Sequence, residues 1–290
     1  MTRCGIVALA GEPNAGKSTL LNALVGEQLA IVSPKPQTTR VPVQGLVTED
    51  EAQALIVDPA GLIAPAYPLQ EAMRRAAIAV IEGADVVLHV HPLAAHPAPP
   101  LESLLSGSSR LPPVRLTVYT KADMVPAARR ASLEPGAALV SAVTGEGVAG
   151  LRARLMDALP EGPFLYDAED VGTQPLRFFA AEFIREAVFA ELRQELPYAV
   201  AVQVDAFREA ETGVYIRATL AVERESQKPI VLGKGGRTIK AVGTAARARI
   251  AAFLGRAVHL DLWVTVWPKW RADSARLAEL GLPSRTGKGR

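Results

Sequence analysis

Residues 11–18 read Gly-Glu-Pro-Asn-Ala-Gly-Lys-Ser, which satisfies G-x-x-x-x-G-K-[ST] in full. The apolar run Cys4–Ala10 precedes this octet and the helix-like segment Ser18–Val25 follows it. Few folds accept that order: a strand must run into a tight turn, and the turn into a helix whose free N–H groups point at phosphate. Gly11 and Gly16 let the backbone approach an anion that a Cβ would hold off. Asn14, Ala15 and Thr19 complete the cradle, Lys17 reaches the β- and γ-phosphates, and the Ser18 hydroxyl is placed for Mg²⁺. By itself the loop leaves ATP and GTP equally open.

The rest of the first half suits a sheet. Candidate strands Val43–Thr48, Ala54–Val57, Val86–Val90, Leu116–Tyr119 and Ala138–Val140 alternate with helix-like segments Leu69–Ile81 and Val148–Leu159. Such alternation predicts an α/β domain, a mostly parallel sheet with helices on both faces. Ligands then bind at the carboxyl ends of strands, where the informative motifs fall. Leu159-Pro160-Glu161-Gly162-Pro163 ends the pattern. We expect a nucleotide-binding domain over 1–162, a linker over 163–174 and a second, smaller α+β domain over 175–290. The tract His89–Pro100 reads as a loop leaving a strand end.

Asp58-Pro59-Ala60-Gly61 follows a buried-looking strand as D-x-x-G. Asp58 can hold Mg²⁺ through water, and the Gly61 N–H can meet the γ-phosphate. Thr120-Lys121-Ala122-Asp123 ends a later strand. The Asp123 carboxylate can accept from guanine N1–H and the 2-amino group, whereas adenine would leave it unpaired at a cost of roughly kilocalories. Ser141-Ala142 can set a backbone N–H on the guanine carbonyl. Motifs in this order and at these spacings imply GTP and GDP as ligands, although Asp123 could also simply cap a helix. In Pro36-Gln37-Thr38-Thr39-Arg40, Thr39, ahead of Thr38, is the candidate to complete the Mg²⁺ shell when the γ-phosphate is present. Leu62 stands after Gly61, where a water-orienting glutamine is common, so slow intrinsic hydrolysis is expected. Asn14 either ligates a monovalent cation such as K⁺ or braces its own loop.

The second half differs in charge. Residues 1–174 carry 13 Lys+Arg against 18 Asp+Glu, net −5, whereas 175–290 carry 19 against 12, net +7. A basic half suggests a polyanionic partner there. A long helix over Leu176–Glu195 is expected, then strands Val200–Phe207 and Val214–Val222. The apolar Ile230-Val231-Leu232 leads into Gly233-Lys234-Gly235-Gly236-Arg237, followed by a helix over Thr238–Phe253 and a strand over Val258–Val266. A G-x-x-G turn at a helix start can clamp single-stranded RNA backbone. Its neighbours Arg224, Lys228 and Lys240 are basic, so Gly233 to Arg237 with those three are the candidate RNA contacts. Trp263, Trp267 and Trp270 cluster near the last strand, with Trp263 expected half-buried in packing rather than stacking on a base. The single cysteine, Cys4, forms no internal disulfide, which fits a reducing cytoplasm. No stretch is apolar and long enough to cross a membrane.

Along essentially its whole length the chain resembles the Era-type GTPases. The matching runs are Gly11 to Leu24, Gln37-Thr38-Thr39-Arg40, Ser141-Ala142-Val143-Thr144-Gly145-Glu146-Gly147, Glu182-Phe183-Ile184-Arg185-Glu186, Glu195-Leu196-Pro197-Tyr198, Val222 to Lys228 and Gly233 to Gly236. The resemblance implies a P-loop GTPase domain followed by a type II KH domain. It further implies a monomer that binds small-subunit ribosomal RNA near its 3′ end, assists assembly of the small ribosomal subunit, and is cytoplasmic with loose peripheral attachment to the inner membrane face. Four positions depart from the family pattern: Thr120 replaces an asparagine that ties the base loop to the phosphate loop, Pro59 and Ala60 a threonine and a proline, and His91 an acidic residue. Leu62 and Thr120 leave open a nucleotide-gated RNA scaffold with negligible hydrolysis, and the phosphate loop alone leaves open an ATP-dependent phosphotransferase.

Overall fold

The computed structural model describes residues 1–105, 110–130 and 133–283; the end of the expected second domain, 284–290, lies outside the described residues. The chain forms two compact units, one of residues 1–66 with 70–173 and one of Gln174 onward with Tyr67–Leu69.

In the first unit the strands are β1 (Arg3–Ala10), β2 (Val43–Glu49), β3 (Ala52–Asp58), β4 (Val86–Pro92), β5 (Val114–Thr120) and β6 (Ala138–Leu139). They form one sheet in the order β2-β3-β1-β4-β5-β6, parallel except for the β2–β3 hairpin. Val7, Ala8, Leu9 and Ala10 of β1 are buried on both faces, the continuous apolar reading that a central parallel strand requires. Helices α1 (Lys17–Val25), α2 (Pro68–Glu82), α3 (Leu101–Leu105) and α4 (Val148–Ala158) connect them. Ala77 and Ile81 of α2 pack with Leu101 and Leu105 of α3 on Ala8, Ala10 and Val87, and a fully buried Ile or Leu contributes about 1.5–3 kcal/mol.

Segment 163–173, expected as a linker, lies along this unit. Buried Gln53 accepts from the Leu165 and Tyr166 N–H groups at 2.9 and 3.0 Å and donates to Tyr166 O at 2.9 Å. The Leu46 N–H donates to Val171 O at 3.0 Å. These contacts bridge more than a hundred residues of sequence, which local composition does not reveal.

The second unit contains α5 (Leu176–Glu191), α6 (Leu196–Ala199), β7 (Ala201–Ala210), β8 (Gly213–Val222), α7 (Lys228–Leu232), α8 (Arg237–Leu254), β9 (Val258–Val266) and α9 (Ser274–Glu279). Its sheet runs β7-β8-β9, with β7–β8 antiparallel and β8–β9 parallel, leaving β9 on an edge. The expected long helix stops at Glu191 rather than Glu195. The chain turns through a left-handed Gln194 (φ 55°), and Pro197 sits in the first turn of α6, where its missing N–H costs nothing. The Ile230–Leu232 run is helical, so two helices flank the glycine turn. Phe179 and Phe183 of α5 meet Phe253 of α8 at ring-centroid distances of 5.2 and 5.1 Å.

Candidate nucleotide and RNA sites

The octet at Gly11–Ser18 leaves β1 and enters α1. A Cβ built on Gly11 would lie 2.3 Å from the Val90 carbonyl oxygen, so β4 itself demands glycine there. Lys17 is buried, and its ammonium donates to Gly11 O and Glu12 O at 3.2 and 2.9 Å. Burial holds its pKa down, against the opposing charges of Asp58 and Glu12. Asp58, at the end of β3, is fully buried, and burial pushes its pKa up despite Lys17 and two hydroxyl donors. Ser18 Oγ and Thr39 Oγ1 donate to Asp58 Oδ2 at 2.5 and 3.3 Å and stand 3.0 Å apart. Asp58 Oδ1 is buried and has no hydrogen-bond partner among the described residues. A lysine and a carboxylate held in a dry cleft favour ligands that neutralise both, and a phosphate with a divalent cation does so. The oxygens of Ser18, Thr39 and Asp58 are the hard donors Mg²⁺ prefers.

A cavity of about 520 Å³ opens beside these groups, lined by Asn14, Gly16, Lys17, Ser18, Thr19, Thr39, Gly61 and Lys121. Thr38 lines it too, but the threonine hydroxyl 3.0 Å from Ser18 Oγ is that of Thr39. Gly11, Ala15, Asp58, Thr120, Asp123, Ser141 and Ala142 do not line it. The Asp123 carboxylate is fixed by Ser141 Oγ, which donates to Oδ1 at 2.6 Å and brings the two strand-end motifs together with Ala142 adjacent. Met124 and Val143 stand on the cavity rim, 70% and 78% exposed. Neither follows from a motif; their only signal in the sequence is adjacency to Asp123 and Ala142. Asn14 Nδ2 donates to Pro34 O at 3.2 Å.

In the second unit Gly233 (φ 73°), Lys234, Gly235 (φ 61°) and Gly236 turn between α7 and α8. No side chain caps α8 at Gly236, so its first N–H groups face out with Lys234 and Arg237 nearby. Arg224 and Lys228 flank the turn that leads into α7. A groove of about 360 Å³ lies between α8 and β9, lined by Ile239, Lys240, Gly243, Thr244, Arg247, Leu260 and Leu262. Only Lys240 among these is evident from charge near the G-x-x-G loop. The others become visible once the three- and four-residue helical spacing is set against alternate residues of β9. Trp263 corrects an expectation: it is 65% exposed. The buried tryptophan is Trp270, whose indole N–H donates to Ala199 O at 2.9 Å.

Residues 6–120 match the family described as 50S ribosome-binding GTPase, and residues 195–271 match the KH domain. The GTPase Era of Afipia carboxidovorans is 42% identical over 291 residues, covering 97% of this chain and 94% of that protein. That of Bradyrhizobium diazoefficiens is 40% identical over the same span. The chain belongs to the GTPase Era family.

Two solved Era structures share its fold at 32% identity, each covering 97% of this chain and 99% of the other. One is a point variant of Aquifex aeolicus Era bound to GDP·AlF₄⁻, with a TM-score of 0.88. The other is Era in complex with MgGDPNP and nucleotides 1506–1542 of 16S ribosomal RNA, with a TM-score of 0.89. As an Era-family member the protein is a GTPase, converting GTP to GDP and phosphate. Family membership thus decides against an ATP-dependent phosphotransferase.

Two of the family departures, Thr120 and His91, have a physical account. Thr120 keeps a tie to the phosphate loop: its hydroxyl donates to Ala15 O at 2.5 Å, and Lys121 Nζ adds a second tie to Asn14 O at 2.7 Å. His91 is buried and its Nε2 lies 2.9 Å from Ala95 O, fastening the turn after β4. Leu62 is buried in the core with Ala8 and Ala10. For Ala60 the structure offers only that it is buried.

Proposed function

We propose that this protein is a slow GTP-hydrolysing switch which binds small-subunit ribosomal RNA near its 3′ end and assists assembly of that subunit. The observation that carries the nucleotide half is the buried Asp58 carboxylate, whose Oδ2 takes the Ser18 and Thr39 hydroxyls while Oδ1 stays unpartnered beside a desolvated Lys17. Asp58 with Ser18 and Thr39 would hold Mg²⁺, which supplies positive charge to the β- and γ-phosphate oxygens. Lys17 and the loop N–H groups position the triphosphate. Asp123, Ser141 and Ala142 select guanine, and the ties from Thr120 and Lys121 keep their loop against the phosphate loop. Leu62 contributes nothing to water placement, which is why intrinsic turnover is slow. Asn14 already braces Pro34; its side-chain carbonyl is the atom that would meet a K⁺ ion, and faster hydrolysis in K⁺ than in Na⁺ would reveal this.

The RNA half rests on the basic G-x-x-G turn, the groove between α8 and β9, and the ribosomal RNA fragment held by an Era of the same fold. Arg224, Lys228, Lys234, Arg237 and Lys240 neutralise phosphates, while Ile239, Leu260 and Leu262 receive bases. The domain limits at 162 and 175 rest on the Pro/Gly cluster at 160–163, the cytoplasmic location on the single cysteine and the family resemblance, and the monomeric state and peripheral membrane contact on the resemblance. No described helix is long and apolar enough to cross a membrane. Single-turnover GTP hydrolysis with and without an oligonucleotide from the 16S ribosomal RNA 3′ end tests the whole reading. Slow phosphate release with saturable oligonucleotide binding is expected; absence of binding in both the GTP-analogue and GDP states would refute it.

A further inference from the structure

Strand alternation gives β9 two different faces. Leu260 and Leu262 line the groove on the α8 side. His259, Asp261 and Trp263 project from the side opposite α8, beside Tyr215 and Thr219 of β8 and Arg208 of β7 in the ladder register. There the Tyr215 and His259 rings stack with centroids 5.6 Å apart and planes 15° from parallel. One carboxylate fixes both: Tyr215 Oη donates to Asp261 Oδ2 at 2.8 Å, and His259 Nε2 lies 3.2 Å from Asp261 Oδ1. Arg217 Nε donates to Tyr215 Oη at 3.3 Å. A cavity of about 620 Å³ beside the rings is bounded by exposed Arg208 and Arg217. Of the nearby acids, Glu209 pairs with Arg256 at 3.2 Å and Asp205 accepts from Thr219 Oγ1 at 2.8 Å, while Glu211 is exposed in the β7–β8 turn. Trp263, 65% exposed, continues the aromatic surface along β9.

We propose that this open sheet face is a second RNA subsite, where an unpaired nucleotide of the same strand stacks on the Tyr215–His259 pair and places its phosphate between Arg208 and Arg217. This rests on the RNA reading above and extends it. Rings locked by a shared carboxylate lose little freedom when a base joins the stack, and two guanidinium groups match an anion rather than an apolar partner. The geometry also gives a route, because β9 is an edge strand. A strand leaving the groove at Leu260 and Leu262 passes over that edge to reach His259 and Trp263.

The test uses the full chain and two nested single-stranded RNAs from the 16S ribosomal RNA 3′ end. One has about four nucleotides, enough for the groove, and the other about ten. Wild type should bind the longer strand more tightly. Tyr215→Ala should weaken the longer strand about tenfold, the loss of one base–aromatic stack, and leave the shorter unchanged. Tyr215→Phe should restore most of that affinity. Arg208→Ala with Arg217→Ala, both at exposed positions, should flatten the salt dependence for the longer strand only. Equal affinities for the two strands, or equal losses on both in Tyr215→Ala, overturn the second subsite while leaving the groove intact. Displacement of the longer strand's extra affinity by free uridine monophosphate reassigns the face to a mononucleotide and also overturns it. If wild type binds neither RNA, the RNA function itself fails, and this subsite with it.

Discussion

Both units present a glycine loop at the start of a helix, yet the two loops are built differently. In the first, the protein's own atoms exclude a side chain: a Cβ on Gly11 would stand 2.3 Å from Val90 O, and Lys17 is 6% exposed. In the second, a Cβ on Gly235 or Gly236 would meet nothing within 4 Å, and Lys234 and Arg237 reach into solvent. The glycines there answer only to a positive φ and to the ligand. The first loop is therefore a dry, preformed socket in which a few charges act strongly, and the second an open clamp whose attraction water and salt can weaken.

Base selection gives the largest expected effect. Asp123→Asn should lower GTP affinity by about a thousandfold and favour XTP, since the Asn amide sets an N–H donor against one of guanine's two donors; nucleotide competition measures it, and an unchanged preference would remove Asp123 from the site. Next comes the fold itself. Gly11→Ala should cost the first unit about 3 kcal/mol through overpacking against β4. Gly235→Ala should cost the second about 1 kcal/mol, the strain of a left-handed residue. Denaturant melts that ranked them the other way would break the comparison of the two loops. Smaller again, Lys234→Ala with Arg237→Ala should reduce RNA affinity about tenfold at low salt. Two lost phosphate contacts should also make the slope of log affinity against log salt shallower by about 1.4, with GTP affinity unaffected.

The smallest effect is on stability in acid. His89 is buried on β4 with Nε2 unpartnered, and burial, then the neighbouring His91, holds its pKa below the ordinary histidine value. The unfolded chain therefore takes up a proton there that the folded chain resists. The stability this histidine affects is complete above about pH 6.5 and falls as the pH drops from there toward the lowered folded value. His89→Phe should narrow the gap between denaturation midpoints measured at about pH 7.5 and about pH 5.5, on either side of that ordinary value.

Much of this was legible in the residues because the first unit is assembled from local signals. Each nucleotide motif sits at the end of an apolar strand, and the parallel order of those strands brings Gly11, Asp58, Thr120 and Ser141 to one edge. The unread parts depend on distant pairing. Gln53 holding Leu165 and Tyr166, the threonine hydroxyl on Ala15 O and the turn of Leu62 into the core all need the folded sheet. Trp263 misled because alternation within Leu260–Val266 marks one face of β9 from the other but does not say which face the helices cover. The groove was half read for a similar reason: charge marked Lys240, while Ile239, Gly243 and Thr244 gain meaning only opposite Leu260 and Leu262.

The most direct test measures GTP and ribosomal RNA affinity on one preparation of Gly235→Asp. A carboxylate in the open clamp should repel the phosphate backbone while leaving the socket of the first unit untouched. RNA affinity should fall at least tenfold with GTP affinity unchanged. Undiminished RNA binding by the folded variant would contradict the assignment of the second loop.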